Sequence, residues 1–416
     1  MSSRSDTTGG DVQQIAPLPR ISIQAFCETA DVAEVIQAAG NDRRMDKTHV
    51  KIQMGGAPAA AEAYRNAPTP NVILIENTHG RAELIDGLDR LAEYCDPGTK
   101  VVIIGHINDV LLYRELVRRG VSEYIIAPVS SIELVRNLSE LFRSPGAAAV
   151  GRTTAFVGAK GGTGASTVCH NVAFAVARSL SLDTVIVDMD LPFGTAGLDF
   201  NQDPSQGIAD LVYTPDRIDA GLVDRLLAKC SDHLSLLAAP STLDRTCDFS
   251  EDAFDSILDI LRSNVPAVML DVPHVWSAWT KRIVAGADEI IIVATPDLAS
   301  MRNTKNLLDL LRQQRKNDSP PRLFMNMVNV PKRPEIKVSD FIKHLDVEPI
   351  GAVPFEPALF GTAANNGQMI AEVSASSKAA EMFLAAAHLV TGRIEARRAR
   401  RGLFDPLLTK LQRKKA

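Results

Sequence analysis

The stretch Ala155-Phe-Val-Gly-Ala-Lys-Gly-Gly-Thr-Gly-Ala-Ser-Thr167 has the residue types of a phosphate cradle. An apolar run precedes a glycine-rich loop, and Val168–Leu180 continues at helical spacing, so the predicted order is strand, loop, helix. A helix N-terminus presents unpaired backbone N–H groups and a partial positive charge, and glycines let the backbone close around an anion. The usual form is G-x-x-x-x-G-K-[ST]. It is kept at Gly164 and Ser166, but Ala159 stands for the first glycine and Ala165 for the phosphate-binding lysine. A cation stands earlier, at Lys160, ahead of Gly161, Gly162 and Thr163. The plainer reading is a glycine-rich turn that only joins a strand to a helix.

Acids follow where two later strands should end. Thr184-Val-Ile-Val-Asp-Met-Asp190 closes on Asp188 and Asp190, and Ala267-Val-Met-Leu-Asp-Val-Pro273 closes on Asp271. The carboxyl edge of an α/β sheet is where such folds place their chemistry. Side chains alternate along a strand, so Asp190 must act where the chain turns into the loop after it. An Asp at such an edge suits Mg²⁺, which keeps several waters and takes few protein ligands. Turn or cap carboxylates are the alternative. Trp276 and Trp279, the only tryptophans, follow either as core or as a surface that responds to the loop's ligand. Two more strands, Glu289–Thr295 and Arg322–Asn329, and the segment Ile350–Glu356 come after.

These residues need a scaffold, and 416 residues suffice for two cores. In the first half the apolar runs Ile21–Cys27, Val50–Met54, Val72–Ile75, Val101–Ile104 and Tyr124–Ile126 alternate with helical stretches, the last being Ser131–Phe142. That alternation predicts a parallel sheet covered on both faces. The expected fold class is α/β, with two doubly wound domains. The expected boundaries are a disordered 1–20, a first domain at 21–143, a linker at 144–151, a nucleotide-binding domain at 152–392 and a basic tail at 393–416.

Hydrophobic residues at 45% and charged residues at 23% are those of a soluble globular protein. The tail holds nine Lys/Arg against two acids, +7, which leaves the rest of the chain at −12 (−5 less +7). An acidic body argues against specific or general nucleic-acid binding. Five scattered cysteines without C-x-x-C spacing point to a reducing compartment rather than a zinc site or disulfide frame. The N-terminus lacks a signal-peptide core, and no run reaches the roughly eighteen apolar residues of a membrane span. Cytoplasmic placement is expected.

From Lys160 the pattern K-G-G-x-G-x-[ST]-[ST] resembles the deviant P-loop of the ParA/MinD family of dimerising ATPases. The resemblance implies ATP and Mg²⁺ as cofactors. It implies that Lys160, Gly161, Gly162, Thr163, Gly164, Ala165, Ser166 and Thr167 hold the nucleotide, with Lys160 reaching across a dimer to the partner's ATP. It gives Asp190 the attacking water, and Ser166, Asp188 and Asp271 the metal. Asn326, preferred over Asn329, would contact adenine, with Pro354 and Phe355 beside the base. The first half looks like a response-regulator receiver domain of flavodoxin-like order. Its acidic, acceptor, Ser/Thr and Lys places read Cys27-Glu28, Glu76-Asn77, Gly105-His106 and Ala127-Pro128. This predicts a pseudo-receiver used for contacts, with His106 a surface or cap residue; an unrelated α/β domain is the alternative.

An inactive-looking receiver fused to such an ATPase resembles the CpaE/TadZ family of Flp (tight-adherence) pilus assembly proteins, as does the segment Asp188–Asn201. The implied role is a localisation factor at the inner face of the membrane or the cell pole. Its implied partners are a pilus secretion ATPase and inner-membrane platform proteins. In the tail, Leu403, Phe404, Leu407, Leu408 and Leu411 recur at helical spacing among positive charges. Such a segment, 402–415, suits peripheral contact with an anionic membrane; a solvated tail or docking arm is the alternative. The function expected is an ATP-binding, nucleotide-gated homodimer with weak or no hydrolysis, because Ala165 removes a charge that would stabilise the transferred phosphoryl group. The alternative is an active ParA/MinD-type ATPase positioning another cargo, as in DNA partition or division-site placement.

Overall fold

The computed structural model describes residues 15–143, 150–240, 243, 246–347 and 349–392. The chain divides into two units, Met1–Ala147 and Ala148–Ala416.

In the first unit the apolar runs form β1 (Ile21–Cys27), β2 (Thr48–Met54), β3 (Val72–Asn77), β4 (Lys100–Gly105) and β5 (Glu123–Ile126). Between and after them lie α1 (Ala30–Gly40), α2 (Gly56–Ala63), α3 (Arg81–Ala92), α4 (Val110–Arg118) and α5 (Ser131–Leu141). The sheet is parallel in the order β2-β1-β3-β4-β5, the flavodoxin-like order. Alternation along β3 fills both faces: Val72 and Leu74 join one core layer, Ile73 and Ile75 the other. Helix starts are set by side chains, as at α5, where Ser130 and Glu133 form a reciprocal capping box.

The expected disordered stretch 1–20 is too long. Ile15 and Leu18 are buried in the first core, the Leu18 N–H donates to the Arg44 carbonyl (2.8 Å), and Ser139 Oγ donates to the Ala16 carbonyl (2.7 Å). Two apolar residues in a polar context carry no periodicity, so only the surface they cover reveals them. Residues 1–14 and 144–149 lie outside the described residues, as does the basic tail with its proposed membrane helix.

The second unit carries an eight-stranded sheet in the order β13-β12-β11-β6-β10-β7-β9-β8, parallel except for the β8–β9 edge pair. Its strands are β6 (Arg152–Gly158), β7 (Thr184–Asp188), β8 (Ala228–Ser231), β9 (Leu234–Leu237), β10 (Ala267–Val272), β11 (Glu289–Ala294), β12 (Arg322–Val328) and β13 (Pro349–Pro354). The helices used below are α6 (Ala165–Leu180), α7 (Ala196–Asp199), α8 (Leu298–Gln314) and α9 (Lys378–Val390). Ala155 and Val157 of β6 face one layer, with Val268 and Leu270 of β10, while Phe156 faces the other with Met269. Each such large side chain, removed from water, contributes about 1.5–3 kcal/mol. Helix α6 packs against the strands beside it and against α9, which explains why Val168 to Ala177 are buried without a break. Among the described residues no helix is long and apolar enough to cross a membrane.

Candidate functional site

Strand β6 sits inside the sheet between β10 and β11, so its loop emerges among their carboxyl ends. Gly162 and Gly164 adopt left-handed φ values of 78° and 79°. At Gly164 a Cβ would also lie 2.5 Å from Asn326 Nδ2, so both backbone conformation and space demand glycine. Fixed partners shape the loop: Asn326 Nδ2 donates to the Thr163 carbonyl (2.9 Å), and Asn303 Nδ2 to that of Ala159 (3.0 Å). His274 Nδ1 lies 3.0 Å from the Gly158 carbonyl. No side chain caps the start of α6. Its first N–H groups therefore point out of the loop with the positive end of the helix dipole behind them. Lys160 bends back within the chain, its Nζ 3.1 Å from Asp297 Oδ2.

The acids occupy the neighbouring strand ends. Asp188 and Asp271 are register partners on β7 and β10, and both are buried. Asp188 accepts from the N–H groups of Asp190 (3.2 Å) and Ala196 (3.1 Å), which folds the following loop back over the strand end. Burial, then the charge of Asp271, pushes the Asp188 carboxyl up to about 7 against those two donors and His170. Asp190 lies past the end of β7; burial raises its pKa although the Phe193 N–H (3.3 Å) opposes this. Buried carboxylates side by side favour a cation, and hard oxygen donors suit Mg²⁺. Among the described residues no group of three or more His, Cys, Asp and Glu could itself hold a metal ion, so protein ligands there would be few.

His170, which belongs to none of the sequence motifs, is fully buried. Its Nδ1 is 2.7 Å from Asp199 Oδ2, and its Nε2 is 3.2 Å from Asp271 Oδ2, within ion-pair range but not aligned as a hydrogen bond. Burial opposes charging the ring, yet the two carboxylates outweigh it and push its pKa up to about 10.

Beside α6 is a cavity of about 200 Å³ whose lining includes Thr167, Asp199, Asn326, Pro354, Phe355 and Phe360. Asn326, Pro354 and Phe355, singled out from separate segments, thus meet at one cavity. The Asn326 amide is already engaged, because its Oδ1 accepts from the Met327 N–H (2.9 Å) while its Nδ2 holds the loop. Asn329 does not line the cavity; it is exposed at φ 61°, its N–H donating to Glu335. The tryptophans divide. Trp279 packs 4.9 Å from the Phe254 ring, whereas Trp276 is 51% exposed.

In the first unit, Glu76, next to last in β3, is buried. It accepts from the N–H groups of Glu28 (2.7 Å) and Thr29 (2.8 Å) and from Thr29 Oγ1 (2.6 Å), with His106 Nε2 at 3.2 Å. Glu28 answers by accepting from the N–H and Oγ1 of Thr78. The two loops clasp each other, and the lone pairs that a metal would need are committed.

No family model matches the chain. A solved pilus assembly protein CpaE from Caulobacter crescentus is 43% identical over 31% of this chain and 98% of that one, on the N-terminal domain, with a TM-score of 0.31. That identity across nearly the whole of a solved chain decides the family. The chain belongs to the CpaE pilus assembly family. Its second unit is ParA/MinD-like. A ParA family ATPase from Chlorobium tepidum is 25% identical, covering 57% of this chain and 98% of that one, with a TM-score of 0.52. The septum site-determining protein MinD of Bacillus subtilis is 27% identical over 237 residues, 53% of this chain and 82% of that protein.

Proposed function

We propose that this CpaE-family chain binds ATP with Mg²⁺ in its second unit and dimerises in response. In this reading the dimer localises and assembles an Flp-type pilus secretion system, together with a secretion ATPase and inner-membrane platform proteins, and it turns ATP over slowly or not at all. One observation carries the reading: an uncapped helix start and buried acids share a sheet edge with exposed apolar side chains. Phe193 after β7, Val275 and Trp276 after β10 and Leu298 after β11 are between 51% and 72% exposed. Water-exposed side chains of that size beside a charged site suit a face that another copy covers.

The N–H groups of residues 161–167 would receive the phosphates. Ser166 and Asp271 would hold Mg²⁺, with Asp188 behind them, and the metal would neutralise phosphate charge. Asn326, Pro354 and Phe355 would border the base. Asp190, half-buried and past the strand end, would orient a water. Lys160 would exchange Asp297 for the partner's nucleotide. Without a lysine at Ala165, the developing charge lacks one donor, a loss on the order of 100- to 1000-fold in rate at comparable sites.

The retained Asp190 and Asp271 favour a second reading, a working ATPase that positions another cargo. Light scattering on the full chain, with ATP–Mg²⁺ and with ADP while phosphate release is followed, separates the two. A dimer in ATP with negligible release is expected, and Lys160→Ala should abolish that dimer. Steady release would establish the second reading. A Lys160→Ala variant that dimerises like the parent would remove the role given to that lysine.

A further inference from the structure

Two parts of the candidate site are joined by a side chain that neither part requires. His170 follows Ser166 by four residues on α6, so it lies on the same helix face one turn deeper. One ring nitrogen faces Asp199, which ends α7 and lines the cavity; the other faces Asp271 on β10, beside Asp188. The ring is fully buried, Asp199 and Asp271 are 21% and 4% exposed, and Phe200 packs on the imidazole with centroids 5.6 Å apart. Each ring nitrogen thus has a carboxylate as its neighbour. Asp199 has the ring at 2.7 Å and Asp271 at 3.2 Å, so Asp199 is the nearer holder.

We propose that His170 is a positioning residue that couples the base-side cavity to the metal-side carboxylate through the line Asp199–His170–Asp271. The inference rests on the nucleotide-binding reading above. Asp199 holds the ring through Nδ1, the shorter contact, and so fixes where Nε2 stands against Asp271 and leaves that carboxylate open to Mg²⁺. Without the Asp199 anchor the ring is free to close on Asp271 and occupy the oxygen that the metal would take. A carboxylate that orients a residue in contact with a metal ligand acts from outside the coordination sphere, where changes cost on the order of 10–100-fold in metal affinity.

The test measures ATP affinity of the full chain with and without Mg²⁺ and takes the ratio of the two, so that any direct effect of Asp199 on the base cancels. Asp199→Asn should lower this Mg²⁺ enhancement by about ten-fold or more. In a His170→Gln background the same change should do nothing, the signature of a coupled pair. An enhancement that survives Asp199→Asn, or that falls equally in both backgrounds, overturns the link. If His170→Gln does not fold, Asp199→Glu replaces it: restored enhancement supports the link, and failure to restore it counts against it. A parent that binds no ATP refutes the nucleotide reading itself and this inference with it, a result distinct from unchanged coupling.

Discussion

Glu76 gathers three short hydrogen bonds from the loop after β1, and the arrangement has consequences for stability rather than for phosphotransfer. Burial favours its neutral form, but the Thr29 hydroxyl, the Thr29 and Glu28 N–H groups and His106 outweigh this and hold the carboxyl below its ordinary range. A depressed folded pKa means stabilisation that is fully present above the unfolded value and lost as pH falls through the folded one. The acid limb of first-unit stability should therefore flatten in Glu76→Gln. At neutral pH that variant should be less stable by roughly 2–3 kcal/mol, since bonds to a charged acceptor are replaced by weaker ones around donors that stay buried. Hydrogen exchange at the Glu28 and Thr29 amides reads the effect directly: faster exchange is expected, and parental rates would show that the clasp contributes little.

Among elements, the start of α8 controls the lysine of the P-loop. Asp297 caps this helix by accepting from the Ser300 N–H (2.9 Å), accepts from Thr295 Oγ1 (2.6 Å), and pairs with Lys160. These partners overcome burial and keep the Asp297 carboxyl below its usual range. Both partners are partly exposed, so the pair is worth at most about 1 kcal/mol. It is enough to bias where Lys160 points without locking it. Asp297→Ser should keep the cap and free the lysine, moving ATP-dependent dimerisation to a protein concentration lower by up to about five-fold. Sedimentation of a concentration series would reveal this, and an unmoved midpoint would mean that the pair does not compete with assembly.

Across the whole molecule, exposed apolar side chains recur after β7, β10 and β11, strands at or near β6 in the sheet, as well as at separate places such as Met54 and Val110. Trp276 is the aromatic among them that an interface would bury most profitably, since anchors of this type at interface centres cost about 2 kcal/mol or more when lost. Trp276→Glu should abolish the ATP-dependent dimer while leaving the monomer's unfolding temperature unchanged, because nothing in the core depends on a half-exposed ring. Emission offers a second readout. Trp279 is buried against Phe254, so a nucleotide-dependent change should vanish in Trp276→Phe; its persistence would assign the signal to the core.

The amino-acid sequence by itself determined the α/β class, the alternation of strands and helices, and the loop that begins at Ala159. Fully buried parallel strands read as near-continuous apolar runs, and the left-handed turns at Gly162 and Gly164 favour glycine, so both leave marks that survive without coordinates. Short-range marks fail where the information is long-range. Ile15 and Leu18 look polar by context until Arg44 meets the Leu18 backbone and Ser139 that of Ala16, and the β8–β9 edge pair is too brief to declare itself. Lys160 finds Asp297 across 137 positions of chain, Asn326 finds Thr163 across 163, and His170 finds both Asp199 and Asp271. These pairings follow from strand order, which hydrophobic periodicity does not encode. Only the tertiary structure decided them, because the acids gather where the sheet brings their strand ends together.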